Sequence, residues 1–362
     1  MKSTTMQWTP LKLTTPTRSH VFGGTLIRDR LGRRELPQGR IAETWEVSDV
    51  DGDIAMVTSG PLAGRSFRNL VEQHPEELVG RGWRGPRFPV LAKFIDGTGM
   101  LPVHLHADDR TAQRLEGEPN GKTEAWHILD AGVGATALVG LKPGVEKETL
   151  REALLCGDYD SVMRRLPVRA GDTIYVPGGA LHSFGPDTLI YEIEQTSNIQ
   201  QHAMNWNMED GSPVPAEEQR RNIDKLLEEL RPGPRPSFRP PLVIPVEDGV
   251  QRRICCAGPY FALERWGAAV GKTIHYTFDH ATILSNLDAP VTLRAGSWTE
   301  QLGPAESRLL PAALGEIEVD GPADILLGYL PDLEHDIRAP LADAGYGAKL
   351  IADLGEGLNV KP

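Results

Sequence analysis

The sequence predicts a mostly β protein, two β domains in tandem with a few peripheral helices, and three observations predict it. Twenty-nine prolines and 38 glycines cut the 362 residues into short pieces, too short for long helices and matched to strands held between turns. Most of those pieces alternate or concentrate β-branched and aromatic residues, the pattern of strands buried on one or both faces. A proline-rich run, Arg231-Pro-Gly-Pro-Arg-Pro-Ser-Phe-Arg-Pro-Pro241, then interrupts the chain. It cannot be helical and reads as an extended linker, so the predicted division is 1–240, with an N-terminal extension and helical insertions, and 241–362.

In the first part, strands are predicted at 44–49, 54–59, 90–95, 125–129, 137–140, 173–176 and 189–195. They are punctuated by turn formers such as Asp51-Gly52, Asp96-Gly97 and Pro177-Gly178-Gly179, whose side chains or lack of them suit a reversal. The spacing suits a sandwich or a barrel. Helical spacing is confined to 66–73, to 147–157 followed by 159–165, and to 215–230, where Leu226, Leu227 and Leu230 can face a core. The second part, 242–331, again alternates short strands with glycine, proline and aspartate turns and predicts a further β domain.

Fifty acidic residues against 38 basic ones leave a formal net charge of −12, which opposes adhesion to nucleic acid and to anionic membranes. Neither is an expected partner, and an anionic substrate would need a locally basic pocket. No run approaches the roughly 18 apolar residues of a membrane span, and Met1–Gln7 carries no apolar signal core, so the expectation is a cytoplasmic protein. Three cysteines, Cys156 and the adjacent Cys255-Cys256, lack metal-ligand spacing. Adjacent cysteines bridge with difficulty, so reduced and mostly buried thiols are expected.

The residues that carry chemistry lie in three segments. In Leu101-Pro-Val-His104-Leu-His106-Ala-Asp-Asp109, residues two apart on a strand share a face, which puts the two imidazoles about 7 Å apart at the backbone. Two ligands of one metal could stand so; a pair of hydrogen-bonded surface histidines is the plain alternative. The segment Gly171-Asp-Thr-Ile-Tyr-Val-Pro177-Gly-Gly179-Ala-Leu-His182 adds a turn, an apolar strand, a second turn and a returning histidine, at the G-x5-P-x-G-x-x-H spacing of a second cupin motif. His182 can then face the same interior. Between them Gly121-Lys-Thr-Glu124-Ala-Trp126 opens a strand with a carboxylate.

Taken in order, these segments resemble the type I phosphomannose isomerase family of the cupin superfamily, in which Gln-x-His-Pro-Asp-Asp precedes Gly-Lys-Thr-Glu and Val-Pro-Ala-Gly-x-x-His. The likeness extends over Phe22-Gly23-Gly24, Ile41-Ala-Glu-Thr-Trp-Glu-Val-Ser48, Phe88-Pro-Val-Leu-Ala-Lys93-Phe-Ile-Asp96 and Glu192-Ile-Glu-Gln-Thr-Ser197, roughly residues 20 to 207, and is weaker beyond. It implies two cupin-type jelly-roll β-barrel domains, the second degenerate. It further implies one divalent metal on His104, His106, Glu124 and His182, with zinc as first choice and iron or manganese open, and a pocket lined by Lys93 and Lys122. The implied activity is metal-dependent aldose–ketose isomerisation, mannose 6-phosphate to fructose 6-phosphate, with a sugar or sugar phosphate as small-molecule partner and a monomer or weak homodimer as assembly.

Three positions depart from the family pattern. His104 stands where the family has glutamine, and in the family's Ser-Asp-x-x-x-Arg segment Asn198 replaces the aspartate and His202 the arginine. Arginine offers a permanent bidentate charge that histidine does not, so a substrate altered to lack the phosphate is one expectation. A three-histidine, one-glutamate oxygenase or epimerase and a non-catalytic sugar-binding or sensing protein remain as alternatives. Lys122, on the Glu124 face and beside a cation that would lower its pKa, is the preferred acid/base; His202 and Lys93 complete the candidate catalytic set, and Asn198 and Glu194 the substrate-binding set. His127 faces away and reads as a satisfied histidine, Trp45 and Trp126 as core, Asp109 as a turn residue or histidine orienter, and His275 and His280 carry no role.

Overall fold

The computed structural model describes residues 7–233 and 235–359. Residues 1–6, most of the segment read for a signal core, and Pro234 of the linker lie outside the described residues. The first part of the chain contributes strands β1 (Thr17–Arg18), β2 (Glu43–Val47), β3 (Val90–Gly97), β4 (His104–Leu105), β5 (Glu124–Ala131), β6 (Thr136–Leu141), β7 (Met163–Pro167), β8 (Thr173–Val176), β9 (His182–Phe184), β10 (Thr188–Gln195) and β11 (Gln201–His202). They form a six-stranded sheet in the order β1-β2-β3-β10-β5-β8 and a five-stranded sheet in the order β11-β4-β9-β6-β7, all antiparallel in their pairings.

The later part repeats the plan with a six-stranded sheet and a four-stranded one. The architecture is therefore mostly β, as the turn spacing predicts. Among the described residues no helix is long and apolar enough to cross a membrane.

Period-2 alternation explains the layering. In β10, Tyr191 and Ile193 point to one side and pack with Ala92 and Phe94 of β3 against Leu263, Ile283 and Leu326 of the later six-stranded sheet. The intervening Ile190, with Ile95 of β3 and Trp126 and Ile128 of β5, points the other way and packs on Ala137, Val139 and Phe184 of the five-stranded sheet. The first six-stranded sheet is thus covered on both faces, and every residue of β3 and β10 is buried, each large apolar side chain contributing roughly 1.5–3 kcal/mol. Gly328 permits the close approach of the two large sheets: a Cβ there would lie 2.8 Å from Ile193 Cδ1.

The outer face of the five-stranded sheet carries Leu105, Leu138 and Leu181 under Ile223, Leu226 and Leu227 of the helix Ala216–Glu229.

Several expected elements differ in detail. The 54–59 strand is absent, and Met56 and Val57 make only isolated bridges to Ser66 and Leu13. The helix expected at 159–165 ends at Val162, because Met163–Pro167 pairs with β6 as an edge strand. The described part of the proline-rich run is pinned: Arg239 and Thr173 exchange both backbone bonds at 2.8 Å, and Arg231 N donates to Gly179 O at 3.0 Å. The N-terminal extension reaches the later part, where Leu11 and Leu309 exchange backbone bonds at 2.8 and 3.0 Å. All three cysteines are free; Cys255 and Cys256 are buried, whereas Cys156 is exposed.

Candidate metal centre

The short strand β4 pairs through His104 with His182 of β9 on one side and His202 of β11 on the other. Leu105, between the two histidines, turns outward into the leucines under the helix, which leaves His104 and His106 facing inward. Their ring centroids lie 4.7 Å apart, and the His182 ring lies 4.2 Å from His104 and 5.1 Å from His106. Two glycines let the other motif segments close on the backbone beyond His106. A Cβ on Gly121 would meet Ala107 O at 2.5 Å and one on Gly178 would meet it at 2.8 Å. In that close approach Lys122 N donates to Ala107 O at 3.0 Å and Gly179 N to His106 O at 2.6 Å, which delivers Glu124 and His182 to the same interior.

The donor atoms of His104, His106, Glu124 and His182 all lie within 4.8 Å of one another, and all four residues are buried. Each Nδ1 faces a backbone carbonyl: Pro102 O at 2.8 Å for His104, Ile199 O at 2.7 Å for His106 and Ala180 O at 2.7 Å for His182. A carbonyl only accepts, so each Nδ1 carries the hydrogen and each Nε2 presents a lone pair inward. Two such lone pairs, on His104 and His182, stand 2.9 Å apart. The Glu124 oxygens lie 3.1 Å from His106 Nε2 and 3.1 Å from His182 Nε2.

Four electron-rich atoms this close repel one another unless a cation lies among them. Ligand atoms about 2.0–2.1 Å from a tetrahedral ion are roughly 3.3 Å from each other, near the separations observed, so the residues fit a divalent metal. Burial lowers the His104 pKa well below the ordinary value and that of His106 to about 4, keeping both imidazoles in the neutral form a metal needs. Burial alone would raise the Glu124 pKa, but Lys122, His182 and His106 outweigh it and hold the carboxylate ionised.

A cavity of about 450 Å³ opens onto His104 and Glu124, while His106 and His182 sit behind them. Lys93, Lys122 and Asn198, three of the expected contact residues, are on its wall. Glu194 is not; it is wholly buried between Lys93 and Lys122, at 2.9 and 2.8 Å. His202 lies beside His104, ring centroids 6.1 Å apart, and behind the wall. Its Nε2 has no hydrogen-bond partner among the described residues, and burial pushes its pKa down to about 4, far from the ordinary value that made it a proton-transfer candidate.

Lys122 sits among carboxylates. Burial opposes its charge, but the carboxylates Glu194, Glu124 and Glu192 outweigh burial and raise its pKa. Among the described residues Asp109 orients no histidine: its Oδ1 accepts from Gly121 N at 2.8 Å and Gln195 Nε2 at 2.9 Å. Trp45 and Trp126 are buried as core residues are, yet both line the cavity, and Trp126 Nε1 donates to Glu124 and Glu192 at 2.9 and 3.1 Å. His127 is satisfied, bonded to Thr173 Oγ1 at 2.8 Å and Arg265 at 3.1 Å. It borders a larger cleft of about 680 Å³, but among the described residues both clusters with metal-ligand spacing lie in the first part of the chain.

Sequence reasoning missed Arg18, His20, Glu43, Glu192, Gln200 and Glu209 on the wall. For Glu192 a signal existed: two residues before Glu194 on a strand, it shares that face. Arg18 and His20 belong to a distant N-terminal segment with no local signature, and Glu43 lies in the 41–48 segment, whose likeness assigned it no role.

No family model matches the chain. Along most of its length it is similar to the mannose-6-phosphate isomerase of Streptococcus mutans, 26% identical over 320 residues that cover 88% of this chain and 98% of that one. It is equally similar to a probable mannose-6-phosphate isomerase, GmuF, of Bacillus subtilis, 26% identical over 321 residues, 88% of this chain and 99% of that one. The crystal structure of a mannose 6-phosphate isomerase from Bacillus subtilis superposes with a TM-score of 0.79 at 25% identity, covering 89% of this chain and 100% of the other. Over most of its length the chain is thus similar, in sequence and in its cupin fold, to mannose-6-phosphate isomerases, which are enzymes.

Proposed function

We propose that this chain is a metal-dependent aldose–ketose isomerase interconverting mannose and fructose or their 6-phosphates, with residues 1–240 carrying the centre and 241–362 supporting it. One observation carries the reading: three imidazoles, each with Nδ1 tied to a carbonyl, turn their Nε2 lone pairs on one point together with the Glu124 carboxylate. His104, His106, Glu124 and His182 would hold the ion, and three neutral imidazoles with one carboxylate suit zinc first. When bound, that ion supplies Lewis acidity to the sugar's carbonyl and neighbouring hydroxyl oxygens and so acidifies the C–H between them.

The chain's own groups supply the rest. Lys122, on the wall with Nζ 3.2 Å from Glu124 Oε2, offers an ammonium to negative charge developing on substrate oxygen. Glu192 is the wall carboxyl whose pKa is raised well above the ordinary value, by burial first and then by the Glu194 and Glu124 carboxylates. It is suited to carrying a proton between the two carbons, because it can exchange protons closer to working pH than an unperturbed carboxylate. Asn198, Lys93 and Lys122 on the wall, the two lysines bridged from behind by Glu194, would position the sugar and the acid.

The test is metal analysis of the purified protein joined to a coupled assay for the ketose product. Zinc with turnover of mannose or mannose 6-phosphate supports the reading. Zinc without turnover of any of these sugars, or bound iron with oxygen consumption, overturns it.

A further inference from the structure

The charges around the cavity bear on which sugar it takes. Arg18 Nη2 holds Asp53 at 2.5 Å while its guanidinium lies over Trp45, 4.7 Å from the ring centroid. Lys93 Nζ lies 2.9 Å from Glu194, 3.3 Å from Glu192 and 4.0 Å from Glu43. Lys122 Nζ lies 2.8 Å from Glu194 and 3.2 Å from Glu124. Every cation on the wall, among the described residues, is therefore already matched by a carboxylate. Glu43, Glu124, Glu192 and Glu209 are themselves on the wall, and Glu209 stands exposed at the rim. With Glu194 and Asp53 behind, carboxyl groups outnumber cations two to one, and a bound divalent ion would no more than bring the set close to neutrality.

A phosphate dianion entering here would meet no uncommitted positive charge and several carboxylates, in partly desolvated surroundings where like charges repel strongly. Sugar hydroxyls have the opposite requirement. Each must donate a hydrogen bond and can accept one, and the wall offers carboxylate acceptors in Glu43, Glu192 and Glu209 with the amides of Asn198 and Gln200 as donors. The volume suits a small ligand held by a few placed polar groups.

We propose that the cavity selects a neutral, unphosphorylated hexose over its 6-phosphate. This rests on the isomerase reading above and names its substrate class. The test uses the full chain loaded with zinc and compares kcat/KM for mannose with that for mannose 6-phosphate. The expected result is a value for mannose at least tenfold higher; an equal or higher value for the phosphate overturns the proposal and leaves the isomerase reading standing.

If neither sugar turns over, the isomerase reading fails, and quenching of tryptophan fluorescence decides the present point, since Trp45 and Trp126 line the cavity. Saturation at lower mannose than mannose 6-phosphate supports the proposal, and the reverse order overturns it. Glu209→Gln provides an internal check. Removing this rim charge should raise the ratio of phosphate to mannose specificity by about three- to tenfold, and an unchanged ratio removes the electrostatic basis.

Discussion

Glu194→Gln keeps the side-chain shape and removes one buried charge, and the structure sets what that costs. Glu194 is wholly buried with Lys122 Nζ at 2.8 Å and Lys93 Nζ at 2.9 Å. The lysines are only 7% and 4% exposed, so neither can recover its lost partner from water. Removing one member of a buried ion pair typically costs about 3–5 kcal/mol. Each lysine keeps one close carboxylate, Glu124 at 3.2 Å and Glu192 at 3.3 Å, which holds the expected loss to about 3 kcal/mol.

With a urea dependence near 3 kcal/mol per molar, the midpoint should fall by about 1 M. The effect should also depend on pH in one direction. Burial alone would raise the Glu194 pKa, but Lys122 and Lys93 outweigh it and leave it below the ordinary 4.5. Its stabilisation is therefore complete above pH 4.5 and is lost as pH falls through the folded value. Urea unfolding followed by tryptophan fluorescence at pH 7, 5.5 and 4 is the assay. A midpoint within about 0.2 M of the parent protein at pH 7, or a gap that widens on acidification, would refute the reasoning.

Other perturbations separate the metal, the acid and the scaffold. His106→Ala should lose both bound metal and turnover, read by elemental analysis beside the coupled assay; full metal occupancy would remove His106 from the ligand set. Lys122→Ala should retain metal while kcat falls by about 10²-fold or more, and preserved activity would end its candidacy as the acid. Gly121→Ala should destabilise the fold by roughly 1–3 kcal/mol, because the new Cβ would lie 2.5 Å from both Ala107 O and Asp108 C; an unchanged urea midpoint would contradict that packing. Stripping the metal with a chelator should lower thermal stability reversibly, by about 4 kcal/mol where free zinc had been a thousandfold above its Kd, and zinc should restore it.

How much of this was legible before folding follows from the range of each signal. His104 and His106 were legible because a period of two residues carries both to one face, and Gly171 to His182 because its turns are written in glycine and proline. The helix Ala216–Glu229 was legible from its leucine spacing. The 54–59 segment misled because its composition suits a strand while its pairings with 12–14 and 64–66 stop at isolated bridges, and Met163–Pro167 because an edge pairing with β6 overrode its local helical appearance.

The wall of the cavity was the least legible part. Arg18, His20 and Glu43 come from segments far along the chain from Glu124 and Glu192, and none carries a local pattern that marks it for a cavity. The sequence by itself determined the strand-rich composition, the turn positions and the four electron-rich side chains, since these depend on residue type and short spacing. Only the tertiary structure decided protonation and reach. Three carboxylates around Lys122 raise its pKa, burial lowers that of His202, and Glu194 lies between the two lysines rather than on the cavity wall. Each outcome is a balance of desolvation against Coulomb attraction, and both are set by distances between residues remote in the chain.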